Sequence, residues 1–127
     1  PLRGHAVEPF RINEQPLPGH EDGILLAPTG QLRARGGEAF RAHVEALLDR
    51  APTALVIDLG GTDSIDSTGV GYLLRVHDRM QAKGAVLALA APSPGVRIVL
   101  DSIGLTGFFL VCESVAEASA TIRDDHS

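Results

Sequence analysis

The chain has 127 residues, a formal charge of −5, 44 % hydrophobic and 21 % charged residues, and one cysteine, Cys112. That balance excludes intrinsic disorder, collagen-like repeats and membrane barrels, and the length fits one domain that folds without disulfides or structural metal. The acidic charge, with no Lys/Arg cluster, speaks against nucleic acid as a direct partner, since phosphate contacts supply most of the affinity there.

Residues 1–9 read as a loose lead-in rich in proline and glycine, followed by one domain over 10–123 and a tail at 124–127. A short strand is expected around Phe10–Asn13. A stronger one covers Gly23–Ala27, with Pro28 confining its end to an edge or exit. From Glu38 onward, Phe40, Val44, Leu47 and Leu48 form one helical stripe, which Pro52 ends. Thr53–Leu59 is the clearest buried strand, a short apolar run closed by Gly60 and Gly61. A loop over Gly60–Thr68 then leads to a second helix, whose stripe is Val70, Leu73, Leu74, His77 and Met80 and whose stop is Gly84. Ala85–Ala90 repeats the buried-strand pattern. Val96, Val99, Leu100 and Ile103 mark a third helix between Pro94 and Gly104. Phe108–Cys112 reads as a further strand, and Ser114 with Glu117 forms a capping box opening a last helix on Val115, Ala118 and Ile122.

This alternation predicts an α/β fold, with a mixed, largely parallel sheet of four to five strands and about four α-helices. In such sheets ligand and partner sites gather beyond the carboxyl ends of the strands. The longest uncharged stretch, Gly84 to Val96, is broken by Pro92 and Pro94 and falls short of the ~20 residues a membrane helix needs. No signal-type segment opens the chain and the lone thiol suits a reducing compartment, so a cytoplasmic protein is expected. Its first residue, Pro1, is compatible with a processed protein or with a domain of a longer one.

The segment Gly60–Gly69 packs three glycines, two aspartates and four hydroxyls into one strand-to-helix connection. A loop of this kind often does no more than cap a helix, worth ~1 kcal/mol. Asp58–Thr62 resembles the phosphate loop of the sugar-kinase and actin-like ATPase superfamily, but that loop turns a β-hairpin within two large lobes. A hydrolytic pair of Ser67 and His77 fails on distance, because ten residues of helix separate them by ~15 Å. His77 is expected as a satisfied histidine at the core edge. His5, His20, His43 and His126 are scattered, no spacing matches a zinc or calcium site, and neither an enzymatic activity nor a cofactor is expected.

Ile65–Leu74, with Asp66-Ser67-Thr68-Gly69 at its head and the buried strand before it, resembles the signature of the STAS family of anti-sigma factor antagonists. The likeness spans about residues 10–122, and Pro94–Leu105 is similar to the family's third helix. It implies a small protein that binds an anti-sigma factor which is also a serine kinase, with Ser67 as phosphoacceptor and a serine phosphatase reversing the modification. Asp63, Asp66, Thr68, Gly69 and Arg33 are the expected partner-binding residues. Where family members often carry Gly-Glu-Leu-Asp before the first helix, this chain has Gly30-Gln31-Leu32-Arg33. The same fold also implies two alternatives, the cytoplasmic regulatory domain of a sulfate-type anion transporter and a scaffold unit of a large stress-signalling assembly.

Overall fold

The computed structural model describes residues 10–125. Six strands and four helices follow in the order β1 (Arg11–Pro16), β2 (Gly23–Leu32), α1 (Ala34–Leu48), β3 (Ala54–Asp58), β4 (Thr62–Ile65), α2 (Ser67–Ala82), β5 (Val86–Ala90), α3 (Pro94–Ser102), β6 (Leu110–Cys112) and α4 (Val115–Asp125). The main sheet runs β1-β2-β3-β5-β6, antiparallel only between β1 and β2, and β4 pairs with β2 outside that path. The expected lead-in over 1–9 lies outside the described residues, as do residues 126–127, while the expected tail is helical through Asp125.

Alternation along β3 divides the core. Leu55 and Ile57 face the larger cluster with Phe40 and Leu47 of α1, Leu73 of α2 and Leu100 of α3, whereas Ala54 and Val56 face a smaller one with Ala118 and Ile122 of α4. Side chains at i and i+2 share one face of a strand, so three helices lie on one side of the sheet and one on the other. The smaller face is lined by Ala54, Ala88 and Ala90, which let the single helix come close.

Several boundaries differ from the sequence reading: β1 runs on to Pro16, α1 begins at Ala34 and not at Glu38, and β6 begins at Leu110 and not at Phe108, while two further differences share one cause. β2 does not stop at Pro28 but continues to Leu32. The Pro28 carbonyl accepts a 2.8 Å hydrogen bond from Thr62 Oγ1, so its nitrogen, which lacks a hydrogen, faces the same side. On that side pairing with β3 ends at Leu26 and pairing with β4 begins at Gly30, so no ladder bond needs the missing donor. The extension of β2 in turn gives Thr62–Ile65 a partner, so four of the nine residues of the expected loop become β4, and Ser67 and Thr68 already belong to α2.

His77 lies on α2 with its ring against Phe108, 4.6 Å between centroids, and Phe109, 5.7 Å away. The expectation of a satisfied histidine is corrected here, because Nδ1 is buried and makes no hydrogen bond among the described residues, the Asp78 carboxylate standing 3.7 Å away, too far to accept one. The two phenylalanines that close over it donate and accept nothing.

Edge strand β1 is tied to α1 and the turn after it by Glu14, which accepts from His43 Nε2 at 2.7 Å and from Arg50. The Arg50 hydrogen bond, then that of His43, holds the Glu14 carboxyl below its ordinary 4.5 against the opposing effect of burial. A carboxylate with a lowered folded pKa contributes stability above its unfolded value and loses that contribution as pH falls through the folded one. Arg50→Met is therefore expected to destabilise by under ~1 kcal/mol at pH 7, because the pair is partly exposed. In urea unfolding the gap between variant and wild type should narrow steadily below the ordinary glutamate range.

Candidate functional site at the head of the second helix

The carboxyl ends of β2 and β4 bring three chain segments to one edge: the β2–α1 junction at Arg33, the start of α2 at Asp66, and the start of α3 at Ser93. In-register pairing of Leu32 with Ile65 sets the first two side by side. The third is fastened by Ser93, whose Oγ donates to the Thr62 carbonyl and accepts from the Val96 N–H at 3.3 Å. One hydroxyl thus caps α3 and anchors it to β4.

Asp66 is the N-cap of α2. Its backbone is extended, and its Oδ1 accepts from the Gly69 N–H at 2.9 Å. Side-chain capping satisfies one of the four N–H groups that a helix start leaves without partners, and the remaining positive end of the dipole faces outward. Ser67 and Thr68, in the first turn, are both exposed. Asp66→Ala should lower stability by ~1 kcal/mol, a fall of roughly 4 °C in Tm, while Asp66→Asn, which keeps an accepting oxygen, should melt close to wild type. Thermal denaturation followed by circular dichroism reads both.

The four hydroxyls of the crowded segment separate cleanly. Thr62 is fully buried and spends its donor on Pro28; Ser64 Oγ is buried with no partner among the described residues; Ser67 and Thr68 face outward. Asp63 is exposed on β4, and Asp66 is half-buried in its capping role. Gly69, expected to touch a partner, is buried instead. A Cβ there would stand 2.5 Å from the Leu32 carbonyl oxygen and 2.7 Å from Ile65 Cγ1, so the glycine seats α2 on the strand ends from beneath. Gly95 does the same for α3, where a Cβ would stand 2.3 Å from the Asp63 carbonyl oxygen. That residue escaped the sequence reading, although Pro94 marks the helix start; nothing in the sequence says which carbonyl lies opposite a helical glycine.

Arg33 is the N-cap of α1, exposed, extended, and without any side-chain capping bond. Asp58 Oδ1 accepts from the Gly60 N–H at 2.9 Å, bracing the turn out of β3. This turn does not close a hairpin, since β4 runs parallel to β2, and the segment departs from the phosphate loop it resembles. Among the described residues no group of three or more His, Cys, Asp or Glu could hold a metal ion, and no helix is long and apolar enough to cross a membrane.

Fold and edge together define a small α/β domain with two helix starts clamped at one end of its sheet and an exposed serine on the first turn of one of them. The chain belongs to the STAS domain family, whose sequence profile matches residues 15–118. A protein of Bordetella bronchiseptica provisionally named anti-sigma factor antagonist BtrV is 30 % identical over 103 residues, covering 80 % of this chain and 89 % of the relative. Among solved structures, an anti-sigma factor antagonist from Mycobacterium paratuberculosis superposes with a TM-score of 0.77 at 20 % identity, covering 89 % of this chain and 95 % of the other. The unphosphorylated form of the anti-sigma factor antagonist SpoIIAA superposes with a TM-score of 0.73 at 23 % identity, covering 91 % and 97 %. SpoIIAA of Bacillus has also been solved in a phosphorylated form, with a TM-score of 0.66 at 21 % identity, covering 90 % of this chain and 99 % of the other. At these identities the structural likenesses establish the fold.

Proposed function

We propose that this protein is an anti-sigma factor antagonist of the bacterial cytoplasm, docking an anti-sigma factor through the edge around Asp63, Asp66, Thr68 and Arg33, with phosphorylation of Ser67 as its off switch. One observation carries the reading: Ser67 stands exposed on the first turn of α2 while Asp66 and Gly69 hold that turn from within. A hydroxyl so placed is open to a second protein's active site. The name of the 30 %-identical relative supports the class.

In this reading the anti-sigma factor is itself a serine kinase. The Ser67 oxygen attacks the γ-phosphorus of ATP bound to the kinase, the hydroxyl proton passes to a base of that enzyme, and ADP leaves. A serine phosphatase restores the hydroxyl with water, releasing inorganic phosphate. The antagonist contributes the nucleophile and needs no cofactor, no metal and no contact with DNA.

The test is intact-mass analysis after incubation with the anti-sigma kinase and ATP. Wild type should gain one phosphoryl group on Ser67 and Thr68→Ala should behave alike, whereas Ser67→Ala should bind the kinase and stay unmodified. A phosphate mapped to any other residue, or a Ser67→Ala protein modified as fast as wild type, overturns the proposal.

A further inference from the structure

Arg41, Arg50, Arg75, Arg79 and Arg97 each hold a carboxylate on the protein surface. Arg33, like Arg11, Arg35 and Lys83, holds none among the described residues, but it alone of these is the N-cap of a helix, where an acidic or hydroxyl side chain stabilises most and a cation has the wrong sign for the dipole. The strand register sets it beside the head of α2. Leu32 pairs with Ile65, so the next residues along the two chains are Arg33 and Asp66, with Ser67 one step beyond. The first turn of α2 sits directly on the Leu32 carbonyl, where only a glycine at position 69 fits. Neighbouring strands lie about 4.8 Å apart, within reach of a guanidinium on a three-carbon stem, and its planar fork matches a phosphate in bidentate fashion.

We infer that Arg33 is the internal counter-ion of a phosphate on Ser67. The inference rests on the reading of Ser67 as phosphoacceptor and extends it. Before modification the guanidinium is exposed and available to a carboxylate of a docking partner. After modification it turns to the phosphate of its own chain. The switch then acts twice on one interface, adding negative charge at Ser67 and withdrawing the positive charge at Arg33. Asp63 and Asp66 share that edge and compete weakly for the guanidinium, neither lying within ion-pair distance of it; Arg35, in the first turn of α1, is the other cation nearby in the chain.

The experiment is a ³¹P titration of protein carrying genetically encoded phosphoserine at position 67, which loads the phosphate whether or not a kinase recognises the site. A cation beside the phosphate favours its dianion and lowers the second ionisation from its usual value near 6. Arg33→Gln should raise the midpoint by about half a unit, a threefold change in proton affinity, and Arg33→Lys should fall between Arg33→Gln and wild type. Arg35→Gln, with the same loss of charge, should move it by less than half as much. Arg33 is exposed, so the variants should fold, and unchanged far-ultraviolet circular dichroism checks this. An unmoved midpoint in Arg33→Gln, or an equal shift in Arg35→Gln, overturns the counter-ion. Failure of the phosphoacceptor reading is a separate result, namely a kinase that leaves Ser67 unmodified.

Discussion

Phosphorylation of Ser67 is expected to weaken binding to the anti-sigma factor by about a thousandfold while leaving the melting temperature within a degree or two. The two halves of this result have different physical origins. Within the fold, a negative group on the first turn of α2 meets the positive end of a helix dipole, which favours it by ~0.3 to 1 kcal/mol. The exposed hydroxyl leaves room for the phosphate without moving the core. At the interface the same group adds roughly −1.5 to −2 of charge beside Asp63 and Asp66, on an edge that must lose its water when a partner docks. A loss of ~4 kcal/mol is enough for the thousandfold change. Ser67→Asp carries about half the charge and lacks the tetrahedral oxygens, so a penalty near 2 kcal/mol and a thirtyfold loss are expected of it. Isothermal titration against the anti-sigma factor, alongside thermal melts, separates the two halves. Equal affinity for the modified and unmodified proteins would remove the switch, and a large fall in Tm would relocate its cause from the interface to the fold.

Long periodic segments were legible because the physics that forms them is local. The stripe Phe40, Val44, Leu47 and Leu48 is buried as its spacing requires, and β3 and β5 are the interior strands that their apolar runs suggest. Of the third helix stripe, Val96 and Leu100 are buried and Val99 is half-buried, but Ile103, the C-cap of α3, is 51 % exposed. β4 was not legible. Three of its four residues are polar, and it is a strand only because β2 runs on past Pro28 to offer it a partner. The head of α2 was readable as a cap followed by hydroxyls, yet which hydroxyls face water depends on β4 turning Thr62 inward and on the helix beginning at Ser67. The nearness of Arg33 to Ser67 follows from register alone, and register between strands separated by a whole helix leaves no mark in the sequence around either residue.

Two glycines of α2, two positions apart, should respond to alanine in opposite directions. Gly69→Ala places a methyl group 2.5 Å from a backbone carbonyl oxygen and 2.7 Å from Ile65, and neither neighbour is the free end of a flexible side chain. Either α2 lifts from the strand ends or β2 and β4 part. Overpacking of this kind costs about 3 kcal/mol, a fall of roughly 10 °C in a domain of this size, and the small helix preference of alanine offsets little of it. Gly71→Ala meets nothing within 4 Å, lies on the exposed side of the same helix, and should gain up to ~1 kcal/mol by removing backbone freedom from the unfolded chain. Gly71 is one turn beyond Ser67 on the same helical face, and its lack of a side chain keeps the approach to that hydroxyl open. Gly71→Ala therefore also probes how closely a partner comes: a protein that melts higher yet is phosphorylated more slowly would show that the kinase reaches Ser67 across Gly71, whereas an unchanged rate would confine the contact to the loop before the helix. Urea unfolding of both variants is the decisive measurement for the packing argument. Equal and small changes in the two would mean that the seat of α2 on the Leu32 carbonyl is not what fixes the head of this helix.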